Sequence, residues 1–125
     1  MAVPILKQGQ FLIATIQSAL TDSDVLQLRD DVMAQVTRHR SRGIIVDVTA
    51  LDVMDSFVSR SLQGISRMTR LRGAETVIVG IQPEVAFAMV QLGMSFEDVS
   101  TALDLEEGLA LLQRPRAKEA GEGAG

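Results

Sequence analysis

An α/β domain, with one mixed β-sheet packed against about four α-helices, is what the order of apolar patterns in the chain predicts. Three observations carry that expectation. Two short runs, residues 44–48 and 76–81, are apolar at nearly every position, the pattern of strands covered on both faces. In a chain that alternates strand and helix, such strands pair in parallel. The segments around them repeat apolar residues at three- and four-residue spacing, and two strand-like segments at the start flank a turn.

Residues 3–7 and 11–16 are apolar and are separated by Gln8-Gly9-Gln10, where a glycine between two polar residues suits a hairpin. Phe11-Leu12-Ile13-Ala14-Thr15-Ile16 reads as a strand from its β-branched content. Thr21 or Asp22 caps the helix that follows, because Val25, Leu28, Val32 and Val36 recur at helical spacing with Arg29, Asp30 and Asp31 elsewhere around the circle. Gly43 is expected to end it. Asp47 breaks the apolar run 44–48; its place is at the strand's C-terminal end or capping a turn, a structural role, since nothing resembles a metal partner set.

From Ser56 the spacing is again helical, with Val58, Leu62, Ile65 and Thr69 on one face, Arg60, Arg67 and Arg70 off it, and Gly73 closing the element. After the strand 76–81, Pro83 suits a first helical turn; Val85, Ala86, Met89 and Val90 follow, and Gly93 ends the helix. A brief edge strand fits between residues 96 and 103. Asp104 then caps a last helix carrying Leu105, Leu109 and Leu112, which Pro115 stops. The six methionines are scattered rather than striped, which suits the filling of core gaps. Residues 1–113 thus form one domain, and residues 114–125, poor in apolar groups, are expected to be a disordered tail.

At 125 residues a single domain buries enough surface to fold without metal or disulfide. Cysteine is absent, which excludes disulfides, thiolate catalysis and the common zinc motifs. The first residues lack the features of a signal peptide and no apolar run reaches ~18 residues, so a cytoplasmic protein is expected, with no membrane partner. A formal charge of -4 argues against general nucleic-acid binding. The basic run Arg38-His39-Arg40-Ser41-Arg42 falls at a helix end, where cations complement the dipole, and His39 is the chain's single histidine.

Catalytic motifs are missing. No glycine-rich phosphate loop precedes a helix, Ser56 has no nucleophile-elbow neighbours, and the acidic pairs Asp52/Asp55 and Glu106/Glu107 read as solvated surface. No cofactor or metal site and no enzymatic activity are expected. What stands out is Asp55-Ser56-Phe57, which follows an apolar strand and a short loop and opens a helix. Its hydroxyl is either a helix cap or a phosphorylation site.

The run Leu51-Asp52-Val53-Met54-Asp55-Ser56-Phe57 after Ile45-Val46-Asp47-Val48 resembles the signature of STAS domains, the sulphate-transporter and anti-sigma-factor-antagonist family. More narrowly, Val3-Pro4-Ile5-Leu6-Lys7, Leu71-Arg72-Gly73-Ala74, Gly80-Ile81-Gln82-Pro83-Glu84-Val85-Ala86, Leu92-Gly93 and Thr101-Ala102-Leu103-Asp104-Leu105-Glu106-Glu107-Gly108-Leu109 resemble the family's RsbS-like branch, the small antagonists of the bacterial stressosome. The likeness runs from residue 3 to about residue 113, the single STAS domain.

That resemblance implies a non-catalytic component of a large hetero-oligomeric assembly, built with RsbR-type STAS scaffold proteins. It would sequester an RsbT-type serine/threonine kinase, release it when Ser56 is phosphorylated, and be reset by an RsbX-type phosphatase, upstream of a sigma factor in the general stress response. Asp52, Asp55 and Phe57 flank Ser56 and are the expected partner-binding residues; Ser59 and Ser61 lie within about a turn of it. Scaffold relatives carry a second acceptor threonine after Arg-Pro-Glu, and the matching segment, residues 83–89, holds neither Ser nor Thr. The alternative on the same fold is a stand-alone antagonist that binds an anti-sigma kinase directly. From another class comes a phosphoryl-transfer enzyme using Asp47, Asp52 or Asp55; Lys7 and Lys118 are the only lysines, which leaves little beyond arginine to stabilise its transition state.

Overall fold

The computed structural model describes residues 3–93, 96 and 99–114. β1 (Ile5–Gln8) and β2 (Phe11–Thr15) form an antiparallel hairpin around Gly9, whose φ of 60° suits the two-residue turn. Then follow α1 (Asp22–His39), β3 (Gly43–Asp47), α2 (Ser56–Leu71), β4 (Glu75–Val79), α3 (Pro83–Gln91), β5 (Ser100–Ala102) and α4 (Leu105–Gln113). The strands lie in chain order across one sheet, β1 antiparallel to β2 and every later neighbour parallel. This is the mixed α/β sheet with four helices that the apolar pattern predicts.

Side chains alternate between two cores, as the strand period of two requires. Leu12, Ala14, Ile44, Val46 and Ile78 meet Val25, Leu28, Val32 and Val36 of α1, Val58, Leu62 and Ile65 of α2, and Val85 and Met89 of α3 in one cluster. Ile13, Ile45, Val77 and Val79 pack instead against Leu105, Leu109, Leu111 and Leu112 of α4. Helices α1 to α3 therefore cover one face and α4 the other. Gly108 makes the second contact close: an added Cβ would stand 2.7 Å from a methyl of Val79.

Several boundaries differ from the sequence reading, each for a local reason. Of the two caps offered for α1, Thr21 is the one that serves, in a reciprocal box with Asp24, so that boundary agrees. Gly43 does not end α1: the helix stops at His39, Arg40 takes the left-handed conformation, and Gly43 opens β3, where an added Cβ would stand 2.7 Å from a methyl of Leu112 in α4. The strand expected over 76–81 ends at Val79, since Gly80 turns out of it with φ 78°. Of the apolar residues named for α3, Val85 and Met89 are buried and Ala86 and Val90 are exposed. Met54 and Met89 fill core gaps, whereas Met68 is exposed. The brief edge strand is β5. Pro115 and the tail expected from 114 onward lie, apart from Arg114, outside the described residues.

Candidate functional site

The parallel strands end together at one edge of the sheet, and the segment 48–55 crosses that edge from β3 to α2. Its first bonds fix its direction. Val48 N–H donates to Val79 O at 3.0 Å, and Leu51 N–H closes a turn onto Val48 O at 2.9 Å. Asp47 Oδ1 accepts from the backbone N–H of Thr49 at 2.9 Å and from its hydroxyl at 2.6 Å, the structural, turn-capping role expected of that carboxylate. Leu51 and Met54 are buried and anchor the loop, so Asp52, Val53, Asp55 and Ser56 are left exposed between and beyond them.

Asp55 is the residue that starts α2. Its backbone is extended and its Oδ1 accepts from Val58 N–H at 2.8 Å, while its carbonyl takes the first intrahelical bond, from Ser59 N–H at 3.0 Å. Ser56 is therefore the first helical residue, not the cap; a carboxylate one position earlier already holds the N–H that a capping hydroxyl would take. Its side chain is exposed. Phe57 is half-buried against the main core and seats the first turn. Of the neighbouring hydroxyls, Ser59 is buried with no hydrogen-bond partner for its Oγ among the described residues, out of reach of a modifying enzyme in the folded chain. Ser61 is partly exposed.

A second loop supports the first. The Gln82 side-chain amide donates to the Thr49 carbonyl at 2.7 Å, bridging the loop after β4 to the loop that leads to Ser56. Gln82 is also the residue before Pro83 at the start of α3, where it makes no side-chain cap bond. Gly80 lies directly beneath: a side chain there would run into Thr49 Oγ1. Neither Thr49 nor Gln82 was singled out from the sequence. The Asp-x-Thr spacing of 47 and 49 and a glutamine at a position that favours Ser, Thr, Asp or Asn are the signals that mark them.

Charge at this edge is acidic. Asp52 and Asp55 flank Ser56, and Glu84 stands in the first turn of α3. The first turn of a helix favours an added anion, and the two carboxylates oppose it. Asp52, Asp55, Ser56 and Phe57 are thus close together along one short stretch, whereas Arg38 and His39 lie in the last turn of α1 and Arg40 and Arg42 follow it, at the far edge of the sheet. Among the described residues no group of three or more His, Asp or Glu is placed to hold a metal ion, and no helix is long and apolar enough to cross a membrane.

The family model for the STAS domain matches residues 2–108. The RsbT co-antagonist protein RsbRA of Bacillus subtilis is 31% identical over 83 residues, which are 66% of this chain and 30% of that protein. The chain therefore spans less than a third of the length of that curated relative. RsbS of Moorella thermoacetica, solved with a serine-to-glutamate substitution, is 36% identical and superposes with a TM-score of 0.77 over 89% of this chain and 94% of its own. A chain from the molecular architecture of the stressosome, described there as a signal integration and transduction hub, is 33% identical with a TM-score of 0.72 over 88% and 96%.

Proposed function

The chain belongs to the STAS domain family, and from that premise we propose that it is a non-catalytic stressosome component that holds an RsbT-type serine/threonine kinase and releases it when Ser56 is phosphorylated. One observation carries the reading. Ser56 stands exposed at the first position of α2 with the capping bond already made by Asp55, so its hydroxyl is offered to an enzyme while the fold does not depend on it. The likeness to RsbS and to a stressosome chain supports a stressosome setting, and the likeness to RsbRA supports RsbR-type scaffolds as co-assembling partners. The reading adds an RsbX-type phosphatase that resets the site and the cytoplasm as the place of action.

The energetics of release favour charge. Turning a kinase from 99% bound to 99% free needs about 5.5 kcal/mol of difference between the two states of the site. Two unit charges ~4 Å apart interact by about 1 kcal/mol in water and about 4 kcal/mol near a protein surface. A phosphate of about two charges, closed under a partner with one facing carboxylate, spans that range. Asp52 and Asp55 already make the surface acidic, and a partner resting on it would also cover Val53, an apolar side chain 73% exposed.

The test is a pull-down from host lysate with wild type, Ser56→Ala and Ser56→Asp, identifying what each retains. Wild type and Ser56→Ala are expected to hold a small ATP-binding kinase together with larger STAS proteins, and Ser56→Asp to hold only the latter. Undiminished kinase retention by a folded Ser56→Asp sinks the release mechanism.

A further inference from the structure

Helix α3 carries two apolar faces and packs one of them. Val85 and Met89, four positions apart, are buried in the main core. On the other side of the helix Pro83, Phe87 and Val90 follow at the i, i+4, i+7 spacing of a second apolar stripe. All three are exposed, Phe87 by 65% and Val90 by 76%. A helix apolar on every side is ordinarily enclosed, and this one is not. Phe87 is one of four phenylalanines in a chain without Trp or Tyr; Phe11, Phe57 and Phe96 are half-buried, and Phe87 stands largely in water. The core does not need it there, since a polar side chain at so exposed a position costs the fold little.

The place of this stripe limits what can cover it. Because β2, β3 and β4 run parallel, α1, α2 and α3 all begin at the edge of the sheet where Ser56 stands. Gln82, immediately before α3, is bonded at 2.7 Å to Thr49 in the loop that leads to Ser56. A partner held stably covers about 800 Å² of a protein through ~20–30 residues. The segment 49–56 is too short to supply that, so a partner seated on Ser56 extends over a neighbouring helix. On the side of α1 that neighbour opens with Asp22 and Asp24, and α4 covers the other face of the sheet. On the side of α3 the neighbour offers Phe87 and Val90 with Glu84 as its one charge. The centre of an interface is poor in charge and rich in aromatic anchors, which favours α3.

We propose that the outer face of α3, anchored by Phe87 and Val90, is the docking surface for the kinase that modifies Ser56, which presents an apolar groove to it. The proposal rests on the kinase-holding role given above and assigns two tasks to two places. Apolar burial on α3 supplies affinity in either state of the chain, and the charge placed on Ser56 decides whether that affinity suffices.

The test uses the host kinase purified by its transfer of phosphate from ATP to the Ser56 hydroxyl, with the full chain as substrate. Phe87→Ser is expected to raise KM for the chain at least tenfold and Val90→Ser at least threefold, with kcat within twofold of wild type and the melting temperatures unchanged. Leu71→Ser, at the far end of α2 and 88% exposed in wild type, is the control and should leave KM as it is. A KM unchanged in both Phe87→Ser and Val90→Ser overturns the proposal, and so does an equal rise in Leu71→Ser. Sedimentation of the chain alone tests the other occupant: self-association that Phe87→Ser abolishes, with KM unchanged, assigns the face to a second copy and overturns kinase docking.

Failure here is distinct from failure of the release mechanism. Kinase that binds Ser56→Asp as tightly as wild type but is lost from Phe87→Ser sinks release and supports docking. A host with no activity that phosphorylates Ser56 overturns both.

Discussion

The side-chain amide of Gln82 donates a 2.7 Å hydrogen bond to the backbone carbonyl of Thr49, tying the loop after β4 to the loop that presents Ser56. The bond is exposed, so its net contribution to stability is modest, about 0.5–1.5 kcal/mol. Its local effect is larger than that figure suggests, because it holds the base of a segment whose far end, Asp52 to Ser56, has exposed side chains. Gln82→Ala is expected to lower global stability by no more than that range while speeding amide hydrogen exchange over residues 49–56. Exchange unchanged in that segment would show that Asp47, Leu51 and Met54 hold the loop without it. Gln82→Glu, which turns an acceptor toward the Thr49 carbonyl, should loosen the loop more than Gln82→Ala.

Asp55 and Ser56 divide two tasks that the sequence leaves undecided between a cap and a modified residue. Asp55→Ala removes the 2.8 Å bond to Val58 N–H and is expected to cost about 1 kcal/mol in urea unfolding, whereas Asp55→Asn, an equally good cap, should stay within a few tenths. Ser56→Ala removes an exposed, non-capping hydroxyl and should fall within about 0.5 kcal/mol of wild type. A loss of about 1 kcal/mol in Ser56→Ala, with none in Asp55→Ala, would return the capping role to the serine.

Gly80 combines two constraints, a φ of 78° and Thr49 Oγ1 where its Cβ would be. Gly80→Ala is expected to destabilise by more than 1 kcal/mol. Removing the obstructing hydroxyl should recover part of the loss and leave the backbone part, so Gly80→Ala and Thr49→Ala should couple favourably in a double-mutant cycle. Strict additivity would mean that backbone strain alone sets the cost.

Much of the architecture is legible in the chain because strands and helices are written in local spacing. The 3.6-residue period placed α1 and α2 close to where they lie, and the almost fully buried β3 and β4 read as apolar runs. Errors fell where a tertiary neighbour decides a local choice. Gly43 looked like a helix stop because glycine commonly is one; here it opens a strand packed closely against Leu112, a residue far along the chain. In α3, apolar nearly all round, periodicity cannot choose between Val85 and Met89, which are buried, and Ala86 and Val90, which are not.

By itself the sequence determined the class of fold and the acidic loop that ends in a serine at a helix start. Only the tertiary structure decided that α4 covers the face opposite α1 to α3, that Gln82 reaches Thr49 across 33 positions, and that Phe87 and Val90 stay exposed on α3. The physical reason is one of range. Spacing along the chain records which side of its own element a residue occupies, whereas contacts between elements follow from strand order and loop path, which emerge when the sheet closes its two cores.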